Sequence, residues 1–277
     1  MTGRLGRNVS LAAGAVLTGL LLALAAVGLV WTPYAPTDLD LTARLQGPGP
    51  DHWLGTDYLG RDLLSQVMLG AQTAVAVGAA AVAAGLAAGV PLGLLAAGAG
   101  GWVDEAVGRL IDLVFAFPAI LTALLVAALA GPGLINAIVA VGVFNVSVFA
   151  RVTRGAARQV QSREFVLAAQ ALGRSRRGIA VRHVLPNISG VLIVQATIQF
   201  AVAILAEAAL GYLGLGVRPP QPSWGRMLLE AQRFMHLDPA QAIVPGLAIA
   251  LAVLGLNLLG DGLRDLLDPR LTVVRVG

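Results

Sequence analysis

Residues 163–187 read REFVLAAQALGRSRRGIAVRHVLPN. This arginine-loaded interval separates long apolar segments, yet Phe165, Ala168, Ala169 and Leu172 recur in it at i, i+3, i+4 and i+7, the spacing of one apolar helix face. Ser162 can cap such a helix, Glu164 suits its positive N-terminal end, and Gly173 can supply a left-handed stop before Arg174. Arg163 and Gln170 fall on the polar side. A short helix of this kind can lie on lipid, anchored by its basic residues, or seat its stripe in a groove of a partner protein.

The surroundings are apolar: 57% of residues are hydrophobic, 12% are charged, and the mean hydropathy is +0.80. That composition indicates an all-α integral membrane protein. A helix crossing a bilayer core of about 30 Å needs roughly 20 apolar residues. Windows of that kind run over Val9–Trp31, Ala71–Ala99, Ile111–Gly131, Leu134–Ala150, Ser189–Gly216 and Ala240–Gly260, predicting six transmembrane helices. The polar intervals, at most about 40 residues, are too short for independent cores. The expected organisation is an N-terminal helix and external segment (1–70), a five-helix core (71–262) with a cytoplasmic loop over 151–188, and a cytoplasmic tail (263–277). A cleaved signal peptide ending near Ala23-Leu24-Ala25 fits less well than a span, because the apolar run continues to Val30. Gly85, Gly89 and Gly93, four apart, let another helix approach closely.

The net charge of +4 and pI near 10.6 do not point to nucleic acid. Every basic side chain apart from histidine is arginine, and most lie beside spans: Arg4 and Arg7 at the N-terminus, and Arg151, Arg154, Arg158, Arg163, Arg174, Arg176, Arg177 and Arg182 in the loop. The positive-inside rule puts both regions, and with six spans both termini, in the cytosol, with Thr32–Gly70 and Val217–Pro239 outside. There is no cysteine, which excludes disulfides, thiolate metal sites and cysteine nucleophiles. His52, His183 and His236 have no metal-ligand spacing, so no metal site is expected. Without a lysine the chain cannot carry a standard phosphate-binding P-loop, so any ATP-driven step needs a partner.

Ala168-Ala169, Gly173, His183 and Leu185-Pro186 together resemble the EAA loop of ATP-binding-cassette importer permeases. The resemblance extends to the dipeptide, oligopeptide and nickel branch of that family through three further strings. These are Asp51-His52-Trp53-Leu54-Gly55-Thr56-Asp57 with Leu59-Gly60-Arg61-Asp62-Leu63-Leu64-Ser65; Leu213-Gly214-Leu215-Gly216-Val217 with Pro219-Pro220 and Pro222-Ser223-Trp224-Gly225; and Pro245-Gly246-Leu247 through Asn257-Leu258-Leu259-Gly260-Asp261-Gly262-Leu263-Arg264-Asp265 to Asp268-Pro269-Arg270. They cover roughly Trp53 to Leu271. The resemblance implies a type I importer permease fold with a cytoplasmic coupling helix, a homologous partner permease, two ATPase subunits or domains, and an extracytoplasmic solute-binding protein. It further implies residence in the bacterial cytoplasmic (inner) membrane. The chain itself is then a transport subunit rather than an enzyme and binds no cofactor; ATP and Mg belong to the ATPases. The implied cargo is a di- or oligopeptide, with nickel, glycosides or another small solute as alternatives. Glu164, Phe165, Leu167, Ala168, Ala169, Leu172, Gly173 and Arg174 become the ATPase-coupling residues, and Leu167 stands where the family has the glutamate of its EAA name.

Glu207, an acid inside the fifth span, is a candidate pathway or gate residue, or a structural one bonded between helices. Arg109 and Asp112, three apart, are expected to pair across one helix face. Outside, Trp53, Asp57, Arg61, Asp62, Trp224 and Arg226 are candidates for docking the binding protein, against simple anchoring at the headgroups. Two other classes remain in view. Gly260-Asp261 lacks the first glycine of an intramembrane aspartyl protease signature, since Leu258 holds that place, and no Gly-x-Ser-Gly string lies in a span. A secondary transporter using Glu207 would have no need of the Arg163 loop.

Overall fold

The computed structural model describes residues 2–35 and 38–267. Asp268-Pro269-Arg270, the rest of the tail, and the side chains of Arg4 and Arg7 lie outside the described residues. The elements in chain order are α1 (Thr2–Gly28), α2 (Leu63–Ala99), α3 (Gly101–Ala116), α4 (Ala119–Ala130), α5 (Leu134–Gln161), α6 (Glu164–Ala171), α7 (Arg176–Tyr212), α8 (Trp224–Ala231) and α9 (Ala240–Leu267). Five of them, α1, α2, α5, α7 and α9, are each long and apolar enough to cross a bilayer, and α3 with α4 supplies a sixth crossing if the bent pair is one span. Between 22% and 44% of each of the five spanning windows is buried within the chain, so most of their apolar surface faces outward, as lipid or another membrane subunit requires.

The helices outrun most of the apolar windows, and three departures are the largest. The third span is not one helix over 111–131: it is bent by 82° where Phe117 turns to an extended conformation (φ −102°, ψ 132°) ahead of Pro118, because a proline disfavours the helical region for the residue before it. Helix α5 runs eleven residues past Ala150, and α7 begins at Arg176, ahead of Ser189. Much of the interval over 151–188 is therefore helical extension of the two spans beyond their apolar cores. Two such helices contain a π turn, at Gly85–Gly89 in α2 and Ala180–Val184 in α7. A proline follows each by two residues, Pro91 and Pro186. A proline ring clashes with the carbonyl four residues back, and the widened turn makes room for it. In α7 the Asn187 amide donates to the His183 carbonyl at 2.8 Å.

Small residues set the packing. A Cβ on Gly85 would strike the Phe149 ring; on Gly89 it would come 2.5 Å from the Val146 carbonyl, and on Gly93 2.6 Å from that of Ala150. The expected glycine stripe of α2 thus lies directly against α5, and Phe149 is fully enclosed. Helix α1 lies along α9 in the same manner, with Gly255 against Leu17 and Thr18 and Gly262 against Leu11. The centre of the bundle is built on Ala71, Ala74, Val77 and Ala81 of α2 with Ala203 and Ile204 of α7, all at 0% exposure.

Candidate functional site

The connections α5–α6–α7 define one end of the bundle. Helix α6 is only eight residues long, too short to persist alone, and is held by Val166 and Ala169. Val166 is fully buried and Ala169 is 7% exposed, in a cluster with Ala157 and Val160 of α5 and Ile179 and Val184 of α7. Burying a valine contributes about 1.5–3 kcal/mol. Val166 was not singled out by the sequence pattern, although it stands three before Ala169 and could have been found by that spacing. Its outward side presents Phe165 (42% exposed), Leu167 (50%) and Leu172 (85%), with Glu164 and Ala168 also exposed. The predicted single stripe is thus divided: Ala169 belongs to the chain's own core, whereas Phe165, Ala168 and Leu172 remain uncovered.

Ser162 does not cap α6. Its hydroxyl donates to the Gln159 carbonyl at 3.0 Å, closing α5, and Arg163 occupies the N-cap position with no side-chain bond. The other end follows expectation. Gly173 has φ +74°, its N–H donates to Gln170 at 2.9 Å and the Arg174 N–H to Ala169 at 3.1 Å. This pair of bonds is a Schellman stop. Ser175 then caps the start of α7 by accepting from Gly178, and the Arg176 guanidinium donates to the Ala99 carbonyl at the end of α2, 3.4 Å away.

An ionic cluster stiffens the same end. Asp104 of α3 receives Arg154 of α5 at 2.5 and 2.9 Å and also pairs with Arg158. Arg109 and Asp112 do not pair with each other. Arg109 bonds Glu105 one turn back at 2.6 Å, while Asp112 reaches across to Arg151 at 2.7 Å, whose guanidinium lies over the Phe115 ring. Asp104 carried no signal of its own in the sequence.

At the opposite end, residues 38–62 fold into a cap over α2 and α8. Asp57 accepts from the Leu59 and Arg61 backbones at 2.8 and 2.9 Å and from Arg61 Nε at 2.6 Å. Arg61 also reaches Glu230 of α8 at 2.6 Å, and Glu230 in turn accepts from Arg226 at 2.8 Å. Burial works against the Arg61 cation, but Asp57 and Glu230 outweigh it and hold its pKa above the ordinary arginine value. Asp62 caps α2 through Ser65 and pairs with His52 at 3.0 Å. The Trp224 indole donates to the Val67 carbonyl at 3.0 Å and fills the place a side chain on Gly70 would take.

These partners correct the expected docking set. Asp57 (4% exposed), Asp62 (3%) and Trp224 (1%) are interior supports of the cap, and Arg61 and Arg226 are committed to ion pairs. Trp53, at 64% exposure, is the one of the six that stands fully on the surface. Glu207 of α7 is 1% exposed, and neither carboxyl oxygen has a hydrogen bond of standard geometry. It lies one residue before Ala208, against whose carbonyl Gly225 of α8 is seated. Within this chain Glu207 is therefore enclosed by protein on all sides. Among the described residues no cluster of three or more His, Asp or Glu side chains could hold a metal ion.

The family profile described as binding-protein-dependent transport system inner membrane component matches residues 89–273. The dipeptide transport system permease protein of Alkalihalophilus pseudofirmus is 43% identical over 252 residues, covering 91% of this chain and 82% of that protein. The glutathione transport system permease protein of Pectobacterium atrosepticum is 41% identical over 268 residues, 96% of this chain and 89% of its own length. Its counterpart from Escherichia coli is 43% identical over 267 residues, 96% of this chain and 88% of its own length.

Proposed function

The chain belongs to the family of binding-protein-dependent transport system inner membrane components, and we propose that, with a homologous partner permease, it forms the pathway by which an ATP-driven importer takes up peptides. The observation that carries this reading is α6: a short helix clamped to the bundle from behind by Val166 and Ala169, whose other face leaves Phe165, Leu167, Ala168 and Leu172 uncovered. An apolar helix face meeting a protein groove is a common recognition mode. The partner is an ATPase subunit, two of which hold the ATP and Mg that drive transport. The relatives named for dipeptide and glutathione transport support a peptide cargo.

The arginine-rich end lies in the cytosol by the positive-inside rule, so both termini and α6 are cytosolic, in a bacterial cytoplasmic membrane. The cap over 38–62 and α8 then faces outward and meets the extracytoplasmic binding protein, with Trp53 as its exposed aromatic contact. ATP-driven displacement of α6 moves α5 and α7 together, because Val166 and Ala169 pack against both. That motion biases the bundle between its inward-open and outward-open arrangements.

The absence of cysteine makes the test clean. Single cysteines at Leu167 and Ala168, with matching cysteines on the copurifying ATPase, are expected to cross-link in native membranes, and purification is expected to bring down a second permease. A chain that purifies alone and forms no cross-link from either position sinks the proposal.

A further inference from the structure

Trp102 is 80% exposed at the arginine-rich end of the bundle, and it is the one tryptophan of four placed there: Trp31 and Trp53 stand at the opposite end and Trp224 is enclosed. It opens α3 directly after a tight turn over Gly100 and Gly101, both at positive φ (+64° and +53°). Two contacts set that turn against the helix ends that carry α6. A Cβ on Gly98 would stand 3.9 Å from Gln161 Nε2 at the end of α5, and the Ala99 carbonyl accepts from Arg176 at the start of α7, 3.4 Å away. The turn thus lies beside α6 and at its height, so Trp102 adds to the exposed apolar surface of Phe165, Leu167 and Leu172. Glu105 and Arg109, paired at 2.6 Å and 64% and 80% exposed, follow Trp102 at i+3 and i+7 and set charge beside the indole.

Tryptophans at a bilayer surface anchor at the headgroups, but Trp102 lies beyond them. Asp112 and Arg151, 73% and 51% exposed and paired at 2.7 Å, mark a level that the hydrocarbon has already left, because ionised groups are costly inside it. Trp102 lies ten residues back along α3, about 15 Å nearer the arginine-rich end at 1.5 Å per residue. The polar layer of a bilayer is only about 5–8 Å deep on each side. We propose that Trp102 and the α2–α3 turn form a second docking point for the ATPase subunit that receives α6, with the indole as its aromatic anchor. The inference rests on the ATPase reading of α6. Trp102 with Leu172 supplies an apolar centre, and Glu105 with Arg109 a charged rim, the distribution found at protein interfaces. Because the turn belongs to α2 and α3 rather than to α6, this contact carries the motion of the ATPase to those helices directly.

The test uses the importer in inside-out vesicles stripped of ATPase, to which the ATPase is added back. Trp102→Ala is expected to weaken ATPase binding about tenfold, the scale of a truncated interface tryptophan. Its abundance and melting temperature are expected to stay unchanged, since the side chain is 80% exposed. Trp102→Phe is expected to fall between. Trp102→Cys in this cysteine-free chain gives a second readout: a membrane-impermeant maleimide is expected to label position 102 in stripped vesicles and to be excluded once ATPase is bound. The label is read on this chain after separation of the subunits, with Leu167→Cys treated in parallel. Wild-type ATPase binding by Trp102→Ala, or position 102 still labelled while position 167 is protected, overturns the docking point and leaves α6 standing. No label at position 102 in stripped vesicles makes Trp102 a lipid anchor and overturns it equally. Protection of neither position overturns the ATPase reading and the docking point with it.

Discussion

Replacing Gly173 isolates the stop that ends α6. The residue sits at φ +74°, and no atom lies within 4 Å of where its Cβ would be, so Gly173→Ala introduces backbone strain without a clash. A left-handed backbone costs an ordinary L-residue about 1 kcal/mol. That is roughly a fivefold fall in the ratio of correctly terminated helix to its alternatives. A partner that binds the terminated form loses affinity by the fraction of that form removed, at most about fivefold. Asparagine tolerates the left-handed region, so Gly173→Asn is expected to lie near wild type. Gly173→Arg carries the same strain and adds a long side chain on the exposed side of the stop.

The expected order is therefore wild type, Asn, Ala, Arg, read as ATPase titration onto membrane vesicles and as ATP-driven uptake. All four are expected at equal abundance in the membrane, because nothing lies within 4 Å of the added Cβ and the stop is exposed. Gly173→Arg is expected to retain insertion but uncouple ATP hydrolysis from uptake. Wild-type uptake by Gly173→Arg refutes the coupling assignment, and an asparagine variant worse than alanine refutes the strain argument.

Gly89→Ala is expected to destabilise the α2–α5 contact by about 1–3 kcal/mol, since its Cβ would press on the Val146 carbonyl at 2.5 Å. Gly98→Ala, with its nearest neighbour at 3.9 Å, serves as the control in a thermal melt of the detergent-solubilised protein, and equal melting of the two would contradict the packing. Trp224→Phe loses the bond to Val67 and part of the buried indole, about 2 kcal/mol. Trp53→Ala is expected to spare stability and weaken binding-protein docking instead, so the reverse pattern in melting and docking assays would return Trp224 to the surface. Glu207→Gln, nearly isosteric and enclosed, is expected to keep uptake; lost uptake at unchanged thermal stability would make Glu207 a pathway residue.

The spans were legible because lipid imposes a length of apolar chain that few other environments require, and the α2 glycines because their four-residue spacing has a mechanical use. The ends of the helices were obscured for a physical reason. Hydropathy stops at the first charges, but Arg151, Arg154 and Arg158 continue α5 at spacings of three and four, and all three reach the acids of α3, Asp104 and Asp112. That spacing was the available signal for the extension. The burial of Asp57, Asp62 and Trp224 could not be read in the same way, since an aspartate that caps a helix and a tryptophan that fills a glycine's vacancy look like surface residues until the facing segment is known.

Helix α6 shows where periodicity reaches its limit. Phe165, Ala168, Ala169 and Leu172 do share one arc of the helix, yet an arc says nothing about who covers it. The bundle takes the side centred between Val166 and Ala169, and leaves the side from Glu164 through Leu167 and Ala168 to Leu172. Ala169 lies at the border, where only a small side chain lets the helix sit close to α5 and α7. Enlarging it would lift α6 from its seat while adding apolar area, so Ala169→Leu is the substitution that separates the two surfaces. Leu167 stands in the middle of the free side beside Glu164, one turn away. An apolar residue there calls for an apolar opposing pocket, with Glu164 as the acid beside it.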